Sequence, residues 1–315
     1  MIKMNLQQVE YLLVLNKFRN FSKAAQASFV TQPAMTIQIK NLENELGVTI
    51  FDRTKKPLIP TEIGLEVIKQ ARVLQKEVER IKDIADTFGS ELKGKLKIGI
   101  IPTVAPYLVP LFINNFIKKY SNITLDFIEL ITDDIIKKLK ESELDVGIIV
   151  TPYEMNGITV FPLYYEKFYA YVSKEHPLYK KKKINTTDIN LESLWLLEEG
   201  NCFRNQVINI CSKDVKSTNQ SNFLYESLSI DALRKIVEHQ MGVTVIPELA
   251  VNEININKRD MIKPFNDYVP VREVSIIVDR SYLKKRLIDK LREEILKTIP
   301  VKMKKIKGEL INTKI

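Results

Sequence analysis

The chain has 315 residues, of which 45% are hydrophobic and 28% are charged, as in a soluble globular protein of two or more domains. Its apolar runs, such as 146–150, are too short to cross a bilayer and its N-terminus is too polar for a signal peptide, so we expect a cytoplasmic protein with no membrane partner. The net charge of +9 suits a polyanionic partner, whereas the two histidines and two cysteines lack metal-ligand spacing, and we predict neither a metal nor a cofactor.

Three short helices and a β wing are predicted in the first sixty residues. The helices are 6–16 after the cap Asn5, 23–28 after the cap Ser22, and 32–46 after the cap Thr31, with Gly47 as the stop of the last. Strands 48–51 and 57–60 flank the basic tip 52–56. This order is typical of a winged helix-turn-helix, a mainly α DNA-binding fold.

The third helix and the wing carry side chains that suit DNA. The amides of Gln32 and Gln38 can pair with base edges, and Thr36 can contact a thymine methyl group. Phosphate-neutralising cations follow at Lys40, Arg53, Lys55 and Lys56. The alternative is a polar helix face that meets only water, which is the more common case for an arbitrary helix.

Several motifs in this region occur together in one known family. They are Phe21-Ser22-Lys23-Ala24-Ala25, Thr31-Gln32-Pro33-Ala34, Gln38-Ile39-Lys40-Asn41-Leu42-Glu43, Phe51-Asp52-Arg53 and Thr61-Glu62-Ile63-Gly64. The stretch resembles the N-terminal domain of LysR-type transcriptional regulators. The resemblance implies that the third helix enters the major groove with Arg53 on the wing, and it adds Ser22, Thr31 and Pro33 to the DNA-binding residues.

A long helix is predicted from Glu62 to about Leu92. Its apolar residues alternate at spacings of four and three, which favours a two-stranded coiled coil: Val67, Ala71, Leu74, Val78, Ile81, Ala85, Phe88 and Leu92. Such a linker helix predicts a homodimer that reads a roughly two-fold symmetric, pseudo-palindromic operator in double-stranded DNA. We therefore divide the chain into a DNA-binding domain (1–60), a linker or dimerisation helix (61–93) and a sensor domain (94–315).

The sensor region alternates strands and helices, as parallel α/β units do. Strands are predicted at 96–101, 123–130, 144–150, 164–172, 243–246 and 272–279, and helices at 105–120, 132–141, 225–241 and 282–298. Crossing strands near 164–171 and 264–274 would join two lobes around a cleft. The last fifteen residues are rich in lysine, and we expect a solvated basic tail that contacts nothing, with contact to DNA as the alternative.

Both cysteines lie in one predicted helix that follows Asn201. Cys202 and Cys211 are nine residues apart, which places their sulfurs on opposite faces and roughly 13 Å apart along the axis. A disulfide needs Cα atoms about 4.4–6.8 Å apart, so the pair could bridge only if the helix unwound. Cys202 at the helix start, with Arg204 nearby, would favour a thiolate. The alternative is that both are small core hydrophobes.

Two threonines, Thr103 and Thr132, each follow a predicted strand and precede a helix. Open α/β sheets bind ligands at such ends, and the hydroxyls with nearby amides would suit a compact oxygen-bearing ligand. The alternative is that each threonine is an ordinary helix cap.

The second half resembles the peroxide-sensing OxyR subfamily of the LysR-type regulators. The resemblance is carried by 101–110, Thr132, 197–206 with its Gly-x-Cys-x-Arg-x-Gln pattern, Cys211 and 246–251. It implies a periplasmic-binding-protein-like, two-lobed sensor in which Cys202 reacts with peroxide and Cys211 resolves. The implied peroxide pocket consists of Thr103, Thr132, Asn201, Arg204 and Arg272, and Asn201 and Asn205 replace the usual His and Asp.

The resemblance also implies partners. They are hydrogen peroxide as signal, a thiol reductant system for reset, a tetramer built from two dimers, and RNA polymerase at the regulated promoters of oxidative-stress genes. Two other functions remain open from the sequence. One is a LysR-type regulator that binds a small anionic metabolite between its lobes, and the other is a thiol peroxidase, which the helix-turn-helix disfavours.

Overall fold

The computed structural model describes residues 4–87, 92–190, 193–199, 201–211, 227–282 and 284–313. The chain divides into two compact units, Met1–Ser90 and Glu91–Ile315, each with its own hydrophobic core. Within the described ranges, no helix combines the length and apolar character that a membrane span requires.

The N-terminal unit is a winged helix-turn-helix followed by a long helix, as predicted. Its elements are α1 (Leu6–Phe18), α2 (Phe21–Ala27), α3 (Gln32–Leu46), β1 (Phe51–Asp52), β2 (Ile59–Pro60) and α4 (Glu62–Thr87). Strands β1 and β2 pair antiparallel as the wing. Leu15 of α1 and Met35 and Ile39 of α3 are fully buried between the helices, so the apolar side of each amphipathic helix forms the core.

The helix caps agree with the sequence except at α2. Asn5 and Thr31 cap α1 and α3, and Gly47 ends α3 in the left-handed conformation that glycine adopts without strain. The prediction that Ser22 caps α2 is wrong. Asn20 Oδ1 accepts a hydrogen bond from the Lys23 amide (3.0 Å), and Ser22 lies inside the helix.

The linker helix α4 is described to Thr87, and the side chains of 82–87 and the predicted seam residue Phe88 lie outside the described part. Leu92 is not helical, because its side chain packs against the core of the C-terminal unit. Ala71 packs against the helix-turn-helix of its own chain, whereas Leu74 and Ile81 are exposed (36% and 68%). Within the predicted seam, Ala71 is thus covered by its own chain, and the exposed apolar positions follow it at Leu74 and Ile81.

The C-terminal unit is an α/β domain built on one mixed sheet. Its strands are β3 (Gly94–Ile100), β4 (Ile123–Glu129), β5 (Val146–Thr151), β6 (Ile158–Val172), β7 (Val243–Pro247), β8 (Ile262–Lys263), β9 (Pro270–Asp279) and β10 (Glu309–Leu310). Its helices are α5 (Ala105–Lys119), α6 (Thr132–Lys140), α7 (Cys202–Cys211), α8 (Ile230–His239), α9 (Glu248–Val251) and α10 (Lys285–Thr298). The predicted elements are present, with ends shifted by a few residues; residues 225–226 of one predicted helix lie outside the described part.

Two long strands connect the two lobes of this unit. The main sheet order is β4-β3-β5-β9-β6-β7. Strands β3, β4 and β5 are parallel, as the alternation predicted, whereas β9 runs antiparallel to β5 and β6, and β7 runs antiparallel to β6. Strands β6 and β9 pair along most of their lengths, which confirms the predicted crossing strands.

The prediction of a solvated C-terminal tail is wrong. Strand β10 pairs in parallel with β9, with Glu309 opposite Pro270. Met303, Ile311 and Thr313 are buried. Lys302, Lys304, Lys305 and Lys307 remain exposed, so this segment buries the few apolar residues between them and keeps these charges in water.

Candidate functional site

Helix α7 begins and ends at the two cysteines. Asn201 precedes the helix, and its side-chain Oδ1 accepts a hydrogen bond from the Phe203 amide (2.9 Å). Phe203, Val207 and Ile210 form the buried face of α7. Both cysteines are free thiols, Cys202 half-buried and Cys211 buried. This confirms the helix that the sequence predicted and therefore the separation of the two sulfurs along it.

A small cleft surrounds the Cys202 thiol. Its walls come from the loop after β3, from the start of α6 and from the start of α7, with lining residues Ile101, Pro102, Ile131, Thr132, Asn201 and Cys202. The thiol donates a hydrogen bond to Thr132 Oγ1 at 3.4 Å. The cleft therefore places one thiol, one hydroxyl and one carboxamide together beside apolar walls.

Neither threonine is a helix cap. Helix α6 starts at Thr132 itself, and the residue before it, Ile131, makes no side-chain cap. Helix α5 starts at Ala105, and its cap position is Val104, so Thr103 lies outside the capping position as well. Ordinary capping thus does not explain these two hydroxyls, and the hydroxyl of Thr132 is directed at sulfur instead.

Arg272 and Thr103 lie behind the cleft rather than in its wall. The Arg272 guanidinium, 1% exposed, donates to Thr103 Oγ1 (3.2 Å) and to Thr103 O (3.0 Å). It also forms a buried ion pair with Glu166 (2.7 Å). The guanidinium carbon lies 5.2 Å from the centroid of the Phe203 ring, a cation–π contact with the residue next to Cys202. Arg272 thus ties the loop of Thr103 to the start of α7.

Arg204 does not support the Cys202 thiolate in the way the sequence suggested. Its guanidinium donates to Leu197 O (3.1 Å) and lies 3.9 Å from the Glu199 carboxylate. A guanidinium forms stronger hydrogen bonds with a carbonyl oxygen or a carboxylate than with a thiol, and the preceding loop presents both of these acceptors to Arg204.

Burial dominates the ionisation of both thiols. It raises the pKa of Cys202, the Thr132 hydrogen bond opposes this, and the nearby Asp133 carboxylate raises the pKa further. Asp133 accepts a hydrogen bond from the Tyr153 hydroxyl (2.6 Å). Burial raises the pKa of Cys211 to about 12. Burial therefore opposes the thiolate that the sequence predicted at Cys202 and favours the neutral form of both thiols.

The predicted DNA-binding side chains lie around α3 and the wing. Gln32, Pro33 and Lys40 are exposed, and Thr31 caps α3. The Ser22 hydroxyl donates to Gln32 Oε1 (2.6 Å), and the Thr36 hydroxyl donates to Gln32 O.

On the wing, Lys55 is exposed, while Arg53 forms an ion pair with Glu43 (2.6 Å). Glu43 also accepts from the amides of Ile50 and Phe51. Arg53 therefore has a structural partner and is still 40% exposed.

Gln38 points away from Thr36 and Lys40, which lie on another side of α3. At about 100° per residue it lies roughly 160° round the helix from Thr36, and its Oε1 accepts from Gln8 of α1 (3.3 Å). Two exposed apolar residues beside this surface, Phe29 (95%) and Ile37 (56%), were not predicted from the sequence. Their exposure depends on how the helices pack, so no local pattern could have shown it.

Comparison with known proteins decides the family. The bacterial regulatory helix-turn-helix family of lysR type matches residues 6–65, and the LysR substrate binding domain matches residues 89–299. The chain belongs to the LysR family. As a LysR-family protein it is a DNA-binding transcriptional regulator, with a helix-turn-helix and a two-lobed α/β regulatory domain.

Several relatives of this LysR-family chain are OxyR proteins or hydrogen peroxide-inducible genes activators. The hydrogen peroxide-inducible genes activator of Haemophilus influenzae is 32% identical over 85% of this chain and 87% of that protein. The DNA-binding transcriptional dual regulator OxyR of Escherichia coli K12 is 32% identical over 79% of this chain and 80% of that protein. A full-length OxyR variant from Pseudomonas aeruginosa superimposes with a TM-score of 0.78 at 32% identity, covering 93% of this chain and 94% of that one.

Two asparagines distinguish this LysR-family chain from the usual OxyR pattern. Asn201, in place of the expected histidine, is 6% exposed and caps α7. Asn205, in place of the expected aspartate, donates to Thr313 O (3.3 Å) in the C-terminal segment. Neither side chain can exchange a proton at neutral pH, so the histidine and the carboxylate are replaced by groups that only form hydrogen bonds.

Proposed function

We propose that this LysR-type regulator senses hydrogen peroxide through a reversible Cys202–Cys211 disulfide and controls oxidative-stress genes as an activator. The observation that carries the proposal is helix α7, whose first residue is a half-buried thiol in a polar-edged cleft and whose last is a buried thiol. The names of the relatives favour peroxide over a metabolite as the signal.

The first step is oxidation of Cys202 in the cleft. Its thiolate attacks one oxygen of hydrogen peroxide, the O–O bond breaks, and the departing hydroxide takes a proton and leaves as water, so that Cys202 becomes a sulfenic acid. Thr132 holds the thiol at 3.4 Å, and its hydroxyl can turn to donate to the thiolate once that forms. Thr103 and Arg272 fix the loop that carries Ile101 and Pro102.

The second step requires α7 to unwind. Once Cys211 leaves the core, the pKa of its thiol falls from about 12 towards the about 8.5 of a free cysteine, so it becomes a nucleophile. It attacks the sulfenic sulfur, the S–O bond breaks, a second water leaves and the disulfide forms. Two thiols of a reductant system return both cysteines to the reduced state. This sensor reacts once per cycle and is not an enzyme.

The change in α7 reaches DNA through the oligomer. We propose the division into residues 1–60, 61–93 and 94–315, a dimer through α4 and a tetramer of two dimers, located with the DNA in the cytoplasm. Repacking of the sensor domains would re-space the reading heads on a pseudo-palindromic operator and alter contacts with RNA polymerase. Gln32, Pro33 and Thr36 then face the major groove, with Lys40, Arg53 and Lys55 on the phosphates.

The decisive experiment combines mass spectrometry with DNA footprinting, with and without peroxide. We expect a Cys202–Cys211 linkage and an altered footprint in the unaltered protein. Cys202→Ser should bind the operator with a footprint that peroxide does not change, and Cys211→Ser should accumulate the Cys202 sulfenic acid. A peroxide response in Cys202→Ser would refute the proposal, and a peroxide-treated protein without the linkage would favour the metabolite-binding alternative.

A further inference from the structure

The C-terminal segment contacts the polar side of helix α7 through a row of hydrogen bonds. Three carboxamide side chains of α7 donate to three successive carbonyl oxygens: Gln206 Nε2 to Ile311 O (3.2 Å), Asn209 Nδ2 to Asn312 O (3.2 Å) and Asn205 Nδ2 to Thr313 O (3.3 Å). The partners are more than one hundred residues apart in sequence. The apolar side of α7 packs on the core, and these three hydrogen bonds attach a second side of the helix to the C-terminal segment.

The segment is itself anchored without α7. The Glu309 amide donates to Val269 O (2.8 Å), the Ile311 amide donates to Val271 O (2.9 Å), and the Thr313 hydroxyl donates to Pro152 O (2.6 Å). Ile311 and Thr313 are 6% and 2% exposed. Residues 309–313 are therefore a fixed part of the sheet edge, against which the helix is held.

The direction of the three side chains matters for disulfide formation. At about 100° per residue, Asn205, Gln206 and Asn209 all lie within roughly 60° of the direction of Cys202, whereas Cys211 lies on the opposite side. For the two sulfurs to meet, Cys211 has to come round to the side of the helix that residues 309–313 occupy. The turns that must unwind also carry all three donors.

We propose that residues 309–313 act as a clamp on α7, and that Asn205, Gln206 and Asn209 are positioning residues that slow the disulfide-forming step. This inference rests on the proposed function. While the clamp hydrogen bonds are intact, the Cys202 sulfenic acid persists because Cys211 cannot reach it. When these bonds break, α7 can unwind, and the Cys211 thiol then displaces water from the sulfenic sulfur. The clamp leaves the first oxidation unaffected, because the cleft around Cys202 forms without the C-terminal segment.

The test measures the two steps separately in the full-length chain. A trap specific for sulfenic acid gives the rate of the first step with hydrogen peroxide, and acid quenching followed by mass spectrometry gives the rate of disulfide formation. The variant is Asn205→Ser with Asn209→Ser, because serine has nearly the helix propensity of asparagine but is too short to reach the carbonyls. Two lost hydrogen bonds predict a disulfide step about 5- to 30-fold faster, with the sulfenic acid rate unchanged.

A matched control comes from helix α5 of the same domain. Asn114→Ser with Asn115→Ser makes the same chemical change at two exposed helical positions and should leave both rates unchanged. A chain ended after Gly308 removes the carbonyls and leaves the sequence of α7 intact, and it should also form the disulfide faster. If that shorter chain fails to fold, the double-serine variant decides, since it keeps every buried apolar residue.

The outcomes separate the two proposals. A disulfide rate in the double-serine variant equal to that of the unaltered protein would overturn the clamp while leaving the peroxide response intact. Equal acceleration in the α5 control would also overturn it, because the effect would not depend on the C-terminal contact. Absence of any Cys202 sulfenic acid in the unaltered protein would overturn the proposed function, and the clamp with it.

Discussion

The hydroxyl of Thr132 should govern how fast Cys202 reacts. The perturbation is Thr132→Val, which keeps the size and branching of a buried side chain and removes only the group 3.4 Å from sulfur. A hydrogen bond to a charged group contributes about 1.5–3 kcal/mol, which corresponds to roughly 1–2 units of pKa. In the thiolate form the Thr132 hydroxyl turns and donates to sulfur, which opposes the burial that raises the pKa of Cys202, so loss of the hydroxyl raises that pKa further.

The expected loss of rate follows from the thiolate population. Below the pKa, a rise of one to two units lowers the thiolate fraction about 10- to 100-fold. A more basic thiolate is also a better nucleophile, with a Brønsted coefficient of about 0.4–0.5 for thiol–disulfide exchange, which returns part of the loss. If peroxide follows the same trend, the net rate at neutral pH should fall about fourfold to tenfold, and the rate–pH profile should move to higher pH.

The assay is stopped-flow oxidation of Cys202 under excess peroxide in a Cys211→Ser background, with thiolate absorbance followed over pH. Thr132→Ser is the matched control, because it keeps the hydroxyl, and it should react at nearly the unaltered rate. A valine variant with the unaltered pH profile, or a serine variant as slow as the valine variant, would contradict this prediction. Either result would mean that the Thr132 hydroxyl does not stabilise the reacting thiolate.

Three further predictions concern other parts of the chain. Because the pKa of Cys211 is raised to about 12 in the folded protein, its neutral thiol contributes stability that is complete below about pH 8.5 and is lost as pH rises towards 12. Urea unfolding of the reduced protein should therefore show that the free energy of unfolding falls by about 2 kcal/mol between about pH 8 and pH 10, and Cys211→Ala should lack this fall. Lys40→Ala should lower the salt slope of DNA binding by about 1 per protomer and weaken all sequences alike, whereas Gln32→Ala should weaken the operator by about 1–3 kcal/mol more than random DNA, both measured by fluorescence anisotropy. Ile81→Lys should separate the α4 pair and lower the oligomeric state in sedimentation experiments, whereas Glu79→Lys, on another side of α4, should keep the oligomeric state of the unaltered protein.

The features that sequence predicted well are local. Helix α3 was predicted with both of its ends, because a threonine cap, a proline in the first turn and a glycine stop are encoded within a few residues of each end. Helix α7 was predicted for a similar reason: Asn201 precedes it and its apolar residues recur with helical spacing. Both cysteines could therefore be placed before any tertiary contact was known.

The features that sequence did not predict depend on distant partners. Strand β10 forms because it pairs with β9. The lysines around Met303 and Ile311 made the segment look solvated in the sequence, although both apolar side chains are buried. The direction of Arg204 depends on which acceptors the preceding loop presents. Asparagine and serine both suit a helix cap, and Asn20 is the cap in place of the predicted Ser22 because α2 already begins at Phe21. The direction in which the Gln38 side chain points likewise depends on α1, where Gln8 donates to it.

Asp133 should act on the same thiol in the opposite sense to Thr132. Its carboxylate raises the pKa of Cys202, and with Asn201 at the position of the usual histidine, no imidazole is there to counter that charge. Asp133→Asn removes the charge and can keep a hydrogen bond with Tyr153, so the pKa of Cys202 should fall by roughly half a unit for an exposed carboxylate at a protein surface. The same balance of thiolate fraction and nucleophilicity then gives an oxidation about twofold faster at neutral pH. In the double variant with Thr132→Val, the two opposite shifts in the pKa of Cys202 should partly cancel. If Asp133→Asn instead reacts more slowly than the unaltered protein, the carboxylate assists the reaction as a proton acceptor rather than opposing it.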